Sequence, residues 1–342
     1  MRLDRRASRS LTRSLDRFEP ILRLDLVRNP YGPCPAALEA VEMRVETPGD
    51  SLTTAFRRRL SDINRVPIEA IHLLSNANSG LRSIAKDHTG PFVCFPPSAA
   101  ATLVSDSRPL STIVSIARGP NREGIIGAEV AADIPEDGIG VIDSPSDPLG
   151  SILSPADAVR LSRACRYLVL DERFAEFSEF SLLPLAMELE NVMVVRSFEA
   201  WAGLQDQSCA WAVASPRLAA ALGLEHAVLE PDVIASALAT LDSRASVSAT
   251  LKLVREERSR LYRLLRKLTF LEPLPSWAPF VSARVAMAPR EAVVDGLLAR
   301  GIRVHAPLQS GLEQFVRIGI GSRTTMDRLR LALLEIATEL VQ

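Results

Sequence analysis

Residues 139–197 read IGVIDSPSDPLGSILSPADAVRLSRACRYLVLDERFAEFSEFSLLPLAMELENVMVVRS, and this stretch decides the fold class. Three short β-branched runs, Ile139–Ile142, Tyr167–Leu170 and Val192–Val195, are separated by helical patterns at Pro155–Cys165 and Leu182–Glu188. Strands that alternate with helices need crossover connections, which implies an α/β fold with a mostly parallel sheet covered on both faces. The alternation extends backward through Ser111–Ala117, Phe92–Phe95 and Ile71–Leu74, and forward to Cys209–Ala214. Ligands of such a sheet sit beyond the carboxyl ends of its strands. The loops to inspect are therefore Ser75–Gly80, Pro96–Ala99, Asp143–Gly150, Asp171–Phe174 and Arg196–Ser208.

Downstream the texture changes. Pro231–Leu241 and Val247–Leu268 read as helices, the second rich in Arg and Glu, and the proline-rich Pro273–Pro279 reads as a boundary. Strand, helix, strand, strand and helix follow, over Phe280–Ala286, Arg290–Arg300, Ile302–His305, Phe315–Ile320 and Thr325–Val341. The expected division is an N-terminal arm (1–30), a large α/β domain (31–245) and a small C-terminal α+β domain (246–342).

The chain has 342 residues, 47% of them hydrophobic, enough for a large core. A net charge of −1 supplies no global field for nucleic acid or an anionic membrane, and neither partner is expected. No apolar run reaches membrane-spanning length, and the arginine-rich first residues read as a solvated arm. Cys34, Cys94, Cys165 and Cys209 lie far apart without ligand spacing. That pattern implies reduced thiols in a cytoplasmic protein and no metal. Of the 40 basic residues, only Lys86, Lys252 and Lys267 are lysines.

Four motifs in register carry a resemblance. Arg23-Leu24-Asp25 with Asn29-Pro30-Tyr31-Gly32-Pro33 resembles the N-terminal signature of histidinol-phosphate aminotransferases. Ser144–Gly150 is similar to that family's NPNNPTG loop, Asp171–Phe174 to its DEAY, and Phe315–Gly321 to its terminal LRIxxG strand. Threonine-phosphate decarboxylases share the scaffold. The resemblance implies a fold-type I aminotransferase-like architecture, dependence on pyridoxal phosphate (PLP), and dimerisation with sites between subunits.

Carried over residue by residue, the resemblance also implies erosion of that chemistry. Gly203-Leu204 and Trp211–Ala214 set the register, and Ala200 then takes the place of the lysine that forms the internal aldimine. Alanine has no amine to form it, so no catalytic residue is assigned. Lys86, Lys252 and Lys267 fall on helices away from the strand ends. Ser208 replaces the phosphate-binding arginine, Glu199 and Asp206 replace a small polar residue and a glycine, and Phe174, Asp147 and Ala99 replace other cofactor contacts. Val45 falls where the partner-subunit tyrosine would be sought, and Arg28 replaces an acidic residue. Asp171, matching the partner of the pyridinium nitrogen, and Asn78 and Ser79 at a helix N-terminus stand as vestigial cofactor-binding residues. Arg317 and Tyr31 match substrate-binding residues, although an arginine in an apolar strand is equally a member of a buried ion pair.

These substitutions lead to the expectation of a non-catalytic pseudoenzyme of amino acid metabolism with no cofactor. It would pair as a homodimer or with an active aminotransferase, or bind a small anionic metabolite. Two alternatives stay open. One is a PLP-independent enzyme using Asp171, Asp147 or Glu172 as acid or base. The other is an active PLP-bound aminotransferase, should the register around Ala200 be misread.

Overall fold

The computed structural model describes residues 20–42, 49–116, 125–126, 134–205, 207–224 and 227–341. The apolar runs become β1 (Ile71–Leu74), β2 (Phe92–Cys94), β3 (Ile113–Ser115), β4 (Ile139–Asp143), β5 (Tyr167–Asp171), β6 (Val192–Ser197) and β7 (Ala210–Val213). They form one seven-stranded sheet in the order β1-β7-β6-β5-β4-β2-β3. β2, β3, β4, β5 and β6 run parallel. β7 is antiparallel to both its neighbours. The reason is local: among the described residues of 198–209 there is only the four-residue helix Glu199–Ala202, and the chain turns back instead of over the sheet.

Every residue of β1, β4, β6 and β7 is buried, as a sheet covered on both faces requires. Alternate side chains feed two cores. Leu73, Val93, Ile142, Leu170, Val194 and Trp211 pack with Phe56, Leu60 and Leu251 on one face. Leu74, Phe92, Val141, Val169 and Val195 pack with Leu81, Ile84 and Leu218 on the other. All four cysteines are buried and unpaired. Among the described residues no helix is long and apolar enough to cross a membrane.

The long helix Arg244–Leu265 leads into a second unit. There Leu271–Pro273, Phe280–Val285 and Phe315–Gly319 form a three-stranded antiparallel sheet, backed by helices Arg290–Ala299 and Arg323–Val341. Pro273–Pro279 is not a boundary. It joins two adjacent strands, with Leu271 opposite Val285 and Pro273 opposite Ala283. Of the segment 1–30, Leu22–Leu24 is a short strand paired in parallel with Ile302–Val304.

One close approach ties this N-terminal segment to the turn after β6. Gly203 has φ +75°, and a Cβ there would lie 2.4 Å from the Gly32 carbonyl carbon and 2.6 Å from the Pro33 nitrogen. The Asn29 amide donates to the Ala200 carbonyl at 2.7 Å, and its side chain donates to the Trp201 carbonyl at 3.0 Å. Gly203→Ala therefore combines left-handed strain with a backbone collision and is expected to cost more than about 2 kcal/mol in denaturant unfolding. Gly223→Ala, at φ +64° with nothing within 4 Å of its Cβ, should lose only the strain, about 1 kcal/mol. Equal losses would show that the approach to Gly32 does not matter.

Candidate functional site

β5 delivers Asp171 to the carboxyl edge of the sheet, 1% exposed. A carboxylate so buried needs compensating donors, and Arg173 supplies them. Its Nε donates to the two Asp171 oxygens at 3.0 and 2.9 Å, its Nη2 donates to Oδ2 at 2.5 Å, and its backbone N–H donates at 3.2 Å. The remaining Nη1 donates to Asn78 Oδ1 at 2.5 Å. Arg173 thus bridges the end of β5 and the start of the helix Ala77–Asp87. Burial opposes its charge, yet Asp171, Glu199 and Asp143 together hold the guanidinium above its ordinary pKa. Glu199, in the first turn after β6, has its carboxyl pushed up by burial, with Arg173 acting in the opposite sense.

Ser79 is committed locally. Its N–H donates to Asn76 Oδ1 at 2.7 Å and its hydroxyl accepts from the Asn76 N–H, a reciprocal cap of that helix. Ala200 is 7% exposed on the helix Glu199–Ala202. Lys86, Lys252 and Lys267 are all exposed. Lys86 lies eight residues beyond Asn78 on the same helix, about 12 Å along its axis.

Two more arginine–carboxylate pairs flank this edge. Glu172, 1% exposed, accepts from Arg196 Nη1 at 3.0 Å, from Ser181 Oγ at 2.6 Å and from the Leu182 N–H. Burial pushes its carboxyl up and Arg196 opposes that shift. Asp147 accepts from Arg317 Nη1 at 2.5 and 2.6 Å, while Arg317 Nη2 donates to the Asp25 carbonyl at 2.8 Å. The Arg317 guanidinium also lies 5.3 Å from the centre of the Phe280 ring. In this structure Arg317 is thus a member of a buried ion pair.

The structure therefore joins Asp171 to Asn78 through Arg173, and Arg317 to Asp147. Among the described residues no hydrogen bond joins Tyr31 to either group. Tyr31 is 38% exposed, and its phenol pKa is raised by partial burial and then by Glu257 and Glu256 of the long helix. Phe174 is buried edge-on to Phe280 at 6.2 Å, and Ala99 donates its N–H to the Asp147 carbonyl at 2.7 Å. Ser208 is exposed. Val45 and Asp206 fall outside the described residues. Arg173 was missed in the sequence as a site residue. The available signal was an arginine two positions after a strand-ending aspartate, close enough to fold back on it.

Comparison with known proteins agrees with this layout. The family pattern "aminotransferase class I and II" matches residues 129–333, more than half of the chain. Histidinol-phosphate aminotransferase 2 of Archaeoglobus fulgidus is 34% identical over 185 residues, 52% of this chain and about half the length of that relative. The histidinol-phosphate aminotransferase of Roseiflexus castenholzii is 29% identical over 336 residues, covering 93% of this chain and 90% of that one. The fold is shared with histidinol-phosphate aminotransferase from Sinorhizobium meliloti, solved in complex with pyridoxal-5'-phosphate. The TM-score is 0.81 at 20% identity, over 97% of this chain and 94% of that one.

This last likeness overturns the expectation that no cofactor belongs to the architecture. The physical reason is that a lysine supplies one covalent bond, whereas the strand ends and helix N-terminus that shape the cleft are retained. In this structure Arg173 is bonded to the Asp171 carboxylate, and Ala200 carries no amine.

The Asp147–Arg317 pair yields a stability test. Arg317→Ala strands a largely buried Asp147 and should cost about 3–5 kcal/mol. Asp147→Ala/Arg317→Ala removes both charges and should recover a substantial part of that loss. A double variant as unstable as the sum of the singles would show that the two side chains are energetically independent.

Proposed function

Since the chain belongs to the aminotransferase class I and II family, we propose that it is a histidinol-phosphate aminotransferase-like protein that has given up lysine-dependent transamination and acts as a non-catalytic, small-anion-binding homologue. The observation that carries this reading is Ala200 in the turn after β6, in a chain whose three lysines are all exposed on or beside helices. The reading rests on the covalent anchor alone, and non-covalent entry of PLP is compatible with it.

Arg317 is the anion-binding residue of this proposal, with Tyr31 at the approach and Asp171, Asn78 and Ser79 as remnants of the cofactor site. An incoming carboxylate or phosphate would have to compete with Asp147 for the guanidinium. The acid–base alternative loses support because each carboxylate it needs, Asp171, Asp147 and Glu172, is held by an arginine. We assign the functional units as the arm 1–30, the large domain 31–245 and the small domain 246–342. The assembly is proposed as a dimer, of this chain or with an active aminotransferase, in the cytoplasm, where buried free thiols persist.

The test is reduction with borohydride in the presence of PLP, followed by peptide mapping. The expected outcome is substoichiometric labelling spread over Lys86, Lys252 and Lys267. A stoichiometric adduct at one lysine would overturn the proposal and restore an active aminotransferase.

A further inference from the structure

A cavity of about 290 Å³ lies between the long helix Arg244–Leu265 and the connection Pro273–Pro279, bordered by Arg258, Tyr262 and Arg263 on one side and by Ser276 and Trp277 on the other. No acidic residue lines it. Arg258 differs from the arginines of the sheet edge. Arg173, Arg196 and Arg317 each hold a carboxylate, whereas Arg258 forms no ion pair among the described residues. Its Nη1 donates to the Phe177 and Ala278 carbonyls at 3.2 and 3.1 Å, which fixes the guanidinium in place. Its Nε and Nη2 have no partner, and neither atom is sealed from solvent. Those two N–H groups make up one edge of the guanidinium fork, the arrangement that grips two oxygens of an oxyanion at once.

The charges around the cavity do not cancel. Arg255 is answered by Glu179 at 2.9 Å. Arg263, exposed and lining the same cavity, forms no ion pair among the described residues. Burial and then Arg255 pull the Arg258 guanidinium down to about 10, with Glu179 opposing, so it is still a cation at neutral pH. We propose that this cavity binds a small doubly charged oxyanion, of the class of a phosphate monoester, with two oxygens on the Nε–Nη2 edge of Arg258 and the second charge met by Arg263. Two unanswered cations favour a dianion over a carboxylate, and a neutral amide gains nothing from them. The site uses neither Arg317 nor the Asp171 edge, so it stands whether or not the function proposed above holds.

Calorimetric titration of the full chain with methyl phosphate, acetate and acetamide separates these classes at about pH 8, where a phosphate monoester carries two charges. Methyl phosphate should bind one site in about the millimolar range, as a fragment of its size allows. Acetate should bind at least about fivefold more weakly and acetamide not at all. Arg258→Lys keeps the charge but loses the two-donor edge and should weaken methyl phosphate about tenfold. Two variants at exposed positions keep the test informative should that one fail to fold. Arg263→Gln should weaken binding about fivefold. Ser259→Glu, four residues before Arg263 on the helix, supplies a carboxylate from within and should abolish binding while leaving the melting temperature unchanged or higher. Acetate binding as tightly as methyl phosphate would overturn the assignment. So would methyl phosphate binding unchanged in both Arg263→Gln and Ser259→Glu, or no binding up to about 50 mM, which would leave Arg258 as a tie between main-chain carbonyls.

Discussion

A buried carboxylate must find a cation or lose its charge, and the carboxyl edge of this sheet is organised by that constraint. Asp171, Glu172 and Asp147 are held by Arg173, Arg196 and Arg317. Each partner comes from a different place: two residues along the chain, the neighbouring strand β6, and the terminal strand of the second unit. Desolvating an ion costs several kcal/mol, and the attraction of a well-placed guanidinium offsets it only when the remaining lone pairs are also satisfied. Here Ser181, the Leu182 N–H and the Arg173 N–H give the carboxylates further donors, and Arg317 donates on to the Asp25 carbonyl. The edge of the sheet is thereby neutralised from within the chain.

That self-sufficiency bears on the proposed function. In a cleft where a ligand provides the cation, an aspartate at the end of β5 waits for it. In this chain Arg173 already donates to Asp171 and reaches on to Asn78. The arginine on Asp171 satisfies that buried charge from within the chain.

Much of the fold was legible in the sequence because it is encoded locally. The β-branched runs became β1 to β7 with shifts of a residue or two at their ends, as the usual ambiguity of element boundaries allows. What escaped was non-local. Leu22–Leu24 has three residues and no pattern, and is a strand only because Ile302–Val304 lies beside it. Pro273–Pro279 reads as a break by composition, yet spans a connection inside one sheet. In the site, the sequence put Asp171 at the end of an apolar run and Arg317 inside one, as they stand in the structure, but it could not tell a ligand clamp from an ion pair. The partner of Arg317 lies 170 positions away, and no periodicity links Asp147 to it.

The pairing of Leu22–Leu24 with Ile302–Val304 sews the beginning of the described chain to a strand near its end. During synthesis the first of these strands leaves the ribosome long before its partner exists. At about 5–20 residues per second the gap lasts roughly a quarter of a minute to a minute. Through that interval the strand has open backbone groups and an edge that other chains could use. The sheet of β1 to β7 is complete in sequence well before the seam can close, so this pairing cannot guide the folding of that sheet as the chain emerges.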